Sequence, residues 1–552
     1  MRIFRPSDSL VRSVQNDEGR FYFSAAFEVI LKKYGWVLSQ VEPPAAATAQ
    51  AFGFVTRSTA WQETFSSLPL VFEGPLAASV LSHLGIATRM LVAKQLELFD
   101  GQGEHLGTLR FNRASLRRIP ANRTEISEPY PFEAEDRRWT PQTFSYQAFE
   151  RLNDGDPIVW GVDTSGSRHV LGVRSGPHLV FGVPLLDIMV QHHLMPPYPH
   201  RYYAMTTWSN LEPLERWLLS ASEAWFRRHD RVTIAVDRWP HSKRACLTVR
   251  HDFDRDLRDD TPKVQKQRAD ISRLLQCYVE RGIKSTWFWR IASYHPKLID
   301  DVTSAGHEVA LHTEAFDFGQ WYEQEIKFFR EQADVPIAGY TVHGGGGAAG
   351  YLGQRQIRWA QASGMSYGEL VGGQISLPTL AIVVDNDIPT TSSVVLPAWH
   401  RGLDLSMRPE GHRLSTLLPE AAKRLANGEH CVIMNHPDIH IEEMIALSNS
   451  LDLADVWPAT MAEVASWVLA RNGVYRKDGT RSMSLTWGQP LPYSATLSIG
   501  HGDNAHSVVL PQGTCVVHVN LAEAQPRIVL SSNGSTSAAA IAIEPNTKQS
   551  MP

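Results

Sequence analysis

Two aspartates and a histidine interrupt a strand-like run in the stretch Cys246-Leu247-Thr248-Val249-Arg250-His251-Asp252-Phe253-Asp254. The first four residues are apolar or β-branched, the pattern of a buried strand, so the polar group falls at the strand's carboxyl end. Carboxylates and an imidazole are costly to bury there unless a metal ion or cations compensate them. Asp252 and Asp254 are two apart, so on an extended strand they project to one side, about 6–7 Å apart along the backbone. One can hold a cation while the other acts on a water bound to it. A surface turn crowded with Arg255, Asp256, Arg258, Asp259 and Asp260 would account for the same residues without any chemistry.

Three further stretches place polar residues where strands should end. In Gly306-His307-Glu308-Val309-Ala310-Leu311-His312-Thr313-Glu314 the two histidines are five apart and face opposite sides of a strand. His312, at the exit, reads as a metal ligand, because neutral imidazole with carboxylate suits zinc and related divalent ions. His307 reads as a buried histidine bonded to backbone. In Tyr340-Thr341-Val342-His343, followed by Gly344, Gly345, Gly346 and Gly347, the histidine is a ligand or a substrate contact. The glycines permit close backbone approach, which makes Gly344 and Gly345 candidate substrate contacts. The run lacks the Lys-Ser/Thr of a phosphate loop, which excludes that mode of nucleotide binding. In Val432-Ile433-Met434-Asn435-His436-Pro437-Asp438-Ile439-His440 a buried strand again breaks into histidine. His436 can protonate a leaving amine as general acid; Asp438 and His440 are its neighbours or plain loop residues.

The elements that must position these residues run from about 244 to 472, where short strands alternate with helices. That alternation means βαβ units and a parallel sheet, and about 230 residues of it is barrel-sized. Three domains are expected. Residues 1–235 form an N-terminal α/β domain without visible chemistry, with a helix over 23–34, a strand over 90–100 and an amphipathic helix over 212–229. Residues 236–474 form the (β/α) unit, and 475–552 a small β-strand module with a disordered tail. The 552 residues are 43% hydrophobic and 20% charged, with a net charge of −5, so no nucleic-acid footprint is present. Four cysteines, Cys246, Cys277, Cys431 and Cys515, show no paired spacing that would suggest a disulfide framework or thiolate zinc site. No apolar leader and no membrane-length apolar run is present, so a soluble, cytoplasmic protein without a transmembrane segment is expected. The sequence leaves a homo-oligomer open.

Taken in order, Arg250-His251-Asp252-Phe253-Asp254, Ser285-Thr286-Trp287-Phe288-Trp289, Gly306 to His312, Val342-His343-Gly344-Gly345 and Asn435-His436-Pro437-Asp438 resemble the polysaccharide deacetylase (NodB-homology, carbohydrate esterase) superfamily. The closing Trp457-Pro458-Ala459-Thr460 and the helix after it are similar to the end of that fold. The likeness covers about residues 244–472 and points to a His-Asp-x-Asp subgroup. It implies a distorted (β/α) barrel holding a divalent metal, usually zinc, that hydrolyses N-acyl groups on sugars. Carried over residue by residue, Asp252 is the general base, Asp254 and His312 are metal ligands, and His436 is the general acid. The family's second ligand histidine falls on Phe316, which cannot bind metal, so a third ligand must come from elsewhere. His343 is the first choice; Glu314 is the second, and otherwise a substrate contact. The expected function is removal of an N-acetyl or N-formyl group from an amino sugar or glycoconjugate precursor made in the cytoplasm. The Phe316 departure sustains a different expectation, a catalytically inactive relative whose flanking modules bind carbohydrate or a biosynthetic partner. A cyclic amide or imide substrate is a third.

Overall fold

The computed structural model describes residues 2–4, 32–37, 39–41, 51–56, 70–73, 78–114, 139–142, 144–152, 155–176, 178–183, 185, 204–206, 212–228 and 233–532, the last apart from 255–260, 314–319, 333, 344–356, 369–375, 386–387, 399–402, 410, 438, 479–481, 502–503 and 521–526. Nine strands make the central sheet: β1 (Ala245–Phe253), β2 (Ser285–Trp289), β3 (Glu308–Thr313), β4 (Gly339–Val342), β5 (Tyr367–Gly368), β6 (Thr379–Asp385), β7 (Ile388–Leu396), β8 (His430–Asn435) and β9 (Val456–Pro458). Their order is β6-β7-β5-β4-β3-β2-β1-β8, with β9 pairing the start of β1. All pairs are parallel except β6 with β7. The expected alternation is present, and the sheet is curled: among the described residues no ladder joins β6 to β8, but the His430 N–H donates to the Ser376 carbonyl at 2.9 Å and Asp404 makes a single parallel bridge to Met434 across the gap.

Parity divides the strands. Leu247, Val249, Phe253, Trp287, Trp289, Val309 and Leu311 belong to one apolar core cluster, together with Ile271 and Leu274 of helix α1 (Pro262–Arg281) and Leu298 of helix α2 (Pro296–Ser304). The even-numbered residues Thr248, Arg250, Asp252, Thr286, Glu308 and His312 therefore line the other face, and all of them are buried. Burial on both faces is what a parallel sheet requires, and β1, β2 and β3 are buried at every residue.

Helix boundaries follow local chemistry. Thr261 caps α1, its hydroxyl accepting from the Val264 N–H, Pro262 begins the first turn, and Gly282 closes it at φ 63°. Helix α3 (Gln320–Gln332) follows β3, while α4 (Arg413–Ala426) precedes β8 and α5 (Ile441–Ser450) follows it. The closing helix α6 (Met461–Asn472) has all four of its first N–H groups satisfied by side chains. Thr460 N–H donates to Glu463 Oε2 and Glu463 N–H to Thr460 Oγ1, a capping box. Met461 N–H donates to Thr286 Oγ1 at 2.8 Å and Ala462 N–H to Glu308 Oε2 at 2.9 Å. Glu308 also accepts from Thr286 Oγ1 and from the Tyr367 hydroxyl, both at 2.8 Å. Gly339 makes room for that tyrosine, since a Cβ there would stand 2.3 Å from its ring.

Toward the N-terminus the described residues form a large, mostly antiparallel sheet with the helix Glu212–Arg228. The single strand expected over 90–100 is two, Ile86–Ala93 and Gln95–Asp100, interrupted at Lys94. The helix expected over 23–34 and the tail beyond 532 lie almost wholly outside the described residues. Toward the C-terminus Val474–Asp478, Ser482–Trp487, Thr514–Asn520 and Arg527–Ser532 form an antiparallel sheet. Thr233–Val236 pairs with Ala495–His501, so strands from before and after the central sheet share a ladder. All four cysteines are free. Among the described residues no helix is long and apolar enough to cross a membrane.

Between the sheet and its helices sit two buried histidines. His251 Nε2 lies 2.9 Å from the Tyr278 hydroxyl, and its ring lies 4.2 Å from that of Trp287. His307 is buried as expected, but its Nδ1 meets the Ser285 hydroxyl at 2.9 Å. Burial, with the His307 charge, pushes His251 down to about 3; burial, with the Lys284 charge, pushes His307 down to about 4. The unfolded chain, with histidines near 6.5, takes up these protons first as pH falls, so stability present above 6.5 drains away below it. The urea midpoint should fall steadily from pH 6.5 to 4, and less steeply in His307→Gln. A midpoint constant across that interval would contradict two buried neutral histidines.

Candidate metal centre and active site

The polar residues gather at the carboxyl ends of β1, β3, β4 and β8, where parallel sheets collect ligands and chemistry. Register puts them level. His251 pairs with Asn435 and Asp252 with Phe288, so β1 and β8 run out together. His312 pairs with Thr341, and the His343 N–H continues the ladder by donating to the Thr313 carbonyl. Asp254 stands one residue past the last β1–β2 pair, Phe253 with Trp289.

Three imidazoles converge on the Asp254 carboxylate. His312 Nε2 lies 3.0 Å and His343 Nε2 3.6 Å from Oδ1, while His436 Nε2 lies 3.2 Å from Oδ2. The aspartate side chain is half-buried and His312 almost wholly so. Burial alone would raise the Asp254 carboxyl, but the His312 and His436 hydrogen bonds hold it far below the usual carboxylate range. His343 is lowered by burial and then by the His312 charge, which favours the neutral, ligating imidazole. For His436 burial opposes protonation, yet the Asp254 hydrogen bond and the Asp252 charge hold its pKa above the ordinary value.

Asp252 is held differently. Its carboxylate is buried and accepts from Arg250 at both oxygens, Nε to Oδ1 at 3.2 Å and Nη2 to Oδ2 at 2.5 Å. The guanidinium also donates to Thr341 Oγ1 at 3.4 Å and lies 4.9 Å from the centre of the Phe288 ring. Burial raises the Asp252 carboxyl, but Arg250 first and His312 second bring it below its usual value. Asp252 Oδ2 is 3.9 Å from His312 Nε2, so the second carboxylate borders the first cluster.

The five residues Asp252, Asp254, His312, His343 and His436 are thus brought together. Glu314, Gly344 and Gly345, together with Phe316 and Asp438, lie outside the described residues. Two residues escaped the sequence reasoning. Arg250 carried a signal, since it lies two before Asp252 on the same strand face. Arg290, whose Nη1 donates to the main-chain oxygen of Asp254 at 2.6 Å, carried none.

The donor set fits a divalent cation. Asp254, His312 and His343 each offer one atom, all within 4.8 Å of one another. One carboxylate and two neutral imidazoles are a common set for zinc and its first-row neighbours, and three protein ligands leave a position for water or substrate.

Removing one partner of a buried ion pair strands the other charge, at a cost of about 3–5 kcal/mol. Arg250→Met should lose stability on that scale, and Arg250→Met with Asp252→Leu should recover most of it in urea denaturation. Losses in the double variant equal to the sum of both singles would show that the pair is not coupled.

No family profile matches the chain, and no curated protein does. Solved structures do. One described as a polysaccharide deacetylase from Mycobacterium smegmatis is 19% identical and covers 44% of this chain and 96% of its own, at a TM-score of 0.33. A CE4 family pseudoenzyme from Bacillus anthracis is 12% identical over 41% of this chain and 66% of its own, at 0.25. A Streptococcus mutans CE4 esterase is 13% identical over 38% of this chain and 79% of its own, at 0.24.

Proposed function

We propose that this chain is a metal-dependent amidohydrolase that removes an N-acetyl or N-formyl group from an amino sugar or glycoconjugate precursor. The observation that carries the reading is the convergence of Asp254, His312 and His343 to within 4.8 Å, flanked by a tethered carboxylate and an imidazole. These three residues would hold the cation, with His343 in place of the ligand missing at Phe316. When bound, a zinc or similar ion supplies Lewis-acid polarisation of an acyl oxygen and lowers the pKa of a water.

The chain's own groups handle the protons. Asp252, fixed by Arg250 with both oxygens in place, takes the proton of the attacking water as that water adds to the acyl carbon. The C–N bond then breaks as His436 delivers a proton from Nε2 to the departing nitrogen, leaving a free acid and an amine. His436 Nε2 lies 3.2 Å from Asp254 Oδ2, beside the atoms that would hold the cation, which puts the imidazole within reach of a departing nitrogen there. Phe316 supports the second reading, an inactive relative that binds carbohydrate without hydrolysing it.

Metal analysis of purified protein separates the two. Wild type is expected to hold one equivalent of zinc or a similar ion, and Asp254→Ala, His312→Ala and His343→Ala to lose it. Asp252→Asn and His436→Gln should keep the ion and lower kcat on N-acetyl or N-formyl glucosamine oligomers by about 10²–10⁴. Metal with no hydrolysis of any acyl sugar favours the binder. No metal even after reconstitution would sink the hydrolytic mechanism.

A further inference from the structure

Asp254 anchors the cluster yet lies one residue past the end of β1, where the sheet does not fix it. The β1–β2 ladder ends at Phe253 with Trp289, and Asp254 follows it. What replaces the ladder is the turn after β2. Arg290 Nη1 donates to the Asp254 main-chain oxygen at 2.6 Å, and Ser293 Oγ donates to that of Phe253 at 2.9 Å. The turn is itself braced. Trp289 Nε1 donates to the Ser293 carbonyl at 2.8 Å, and the Trp289 ring stacks on Phe253 at 4.0 Å and 20°. Ser293 is fully buried and Arg290 half-buried, so the donors stand on a packed base.

From this geometry we propose that Arg290 is a positioning residue for the candidate metal centre. By pinning the Asp254 carbonyl beyond the end of the ladder, it sets the direction of the carboxylate and so the affinity of the site for its cation. Arg290 touches neither the cation position nor the substrate in this reading, which rests on the metal-site assignment above. A main-chain oxygen held by a charged donor loses the rotation that would swing the side chain away from His312 and His343. Hydrogen bonds of this outer kind are worth about 10–100-fold in metal affinity.

The test is calorimetric titration of full-length, metal-free protein with CoCl2, together with the visible d–d bands of bound Co2+. Arg290→Met is expected to weaken Co2+ binding about 10–100-fold and to shift the bands. Arg290→Lys keeps a cationic donor and should recover most of the affinity, which also guards against a misfolded methionine variant. Ser293→Ala removes a bond to a carbonyl still inside the ladder; it should lower the metal-free thermal midpoint and leave Co2+ affinity alone. Equal affinity in wild type and Arg290→Met overturns the inference. So does an equal loss in Arg290→Met and Ser293→Ala, which would mark a general loosening of the strand exit. A wild type that takes up no Co2+ overturns the metal-site assignment itself, and this inference with it.

Discussion

The site depends on two carboxylates two residues apart being neutralised in different ways. Asp252 is matched by the permanent charge of Arg250 through two hydrogen bonds inside the sheet. Among the described residues the Asp254 carboxylate is met by imidazoles, which exchange a proton for a metal ion far more readily than a guanidinium gives up its charge. Asp252 is therefore electrically complete, while Asp254 keeps a negative charge open to a cation. Had the arginine faced Asp254, the same residues would form an inert ion pair and no binding site.

That division is possible because the sheet tolerates a polar inner face. Apolar packing lies on both faces: Trp287, Trp289, Phe253 and Leu311 meet the helices on the outer one, and Cys246, Phe288, Ala310 and Val432 share a second cluster with α6 on the inner one. The inner face carries Thr248, Thr286, Glu308, Arg250 and Asp252, all buried. Each has a partner there: Thr248 bonds to His430 and Ala459, Thr286 to Glu308, and Arg250 to Asp252 and Thr341. Burial without such partners would cost about 1–3 kcal/mol per group. The inner face thus combines apolar packing with polar groups whose directions are fixed by their partners.

The residues that end strands were legible because an apolar run that breaks into Asp or His places charge where packing alone would not keep it. Parity gave the face of Asp252 and would equally have given Arg250. It also placed Asp254 on the side of Asp252, and both carboxylates border the His312 imidazole, at 3.0 and 3.9 Å. Arg290 was invisible, since a side chain donating to another segment's carbonyl leaves no pattern in sequence. The strand–helix alternation was readable, while the way the sheet's ends meet was not: single contacts such as His430 N–H to the Ser376 carbonyl leave no pattern in sequence. The N-terminal strands were blurred for a related reason. The break at Lys94, where the chain passes from one partner strand to another, costs one residue and leaves the apolar pattern nearly continuous.

The capping of α6 has a consequence for how the chain is made. Its first turn is completed by Thr286 and Glu308, more than 150 residues earlier in the sequence. During synthesis the Glu308 carboxylate waits without one of its three donors until Ala462 has emerged, and β9 likewise must arrive before it can pair with the start of β1. The sheet cannot therefore finish as a nascent half-structure, and loop-closure entropy must be met before the contacts reward it. The unit should cross its folding barrier late and in one cooperative step. A ribosome-bound chain ending short of α6 would leave Tyr367, Leu380 and Val395 without the apolar residues of α6 that share their cluster, and would be a natural client for chaperones.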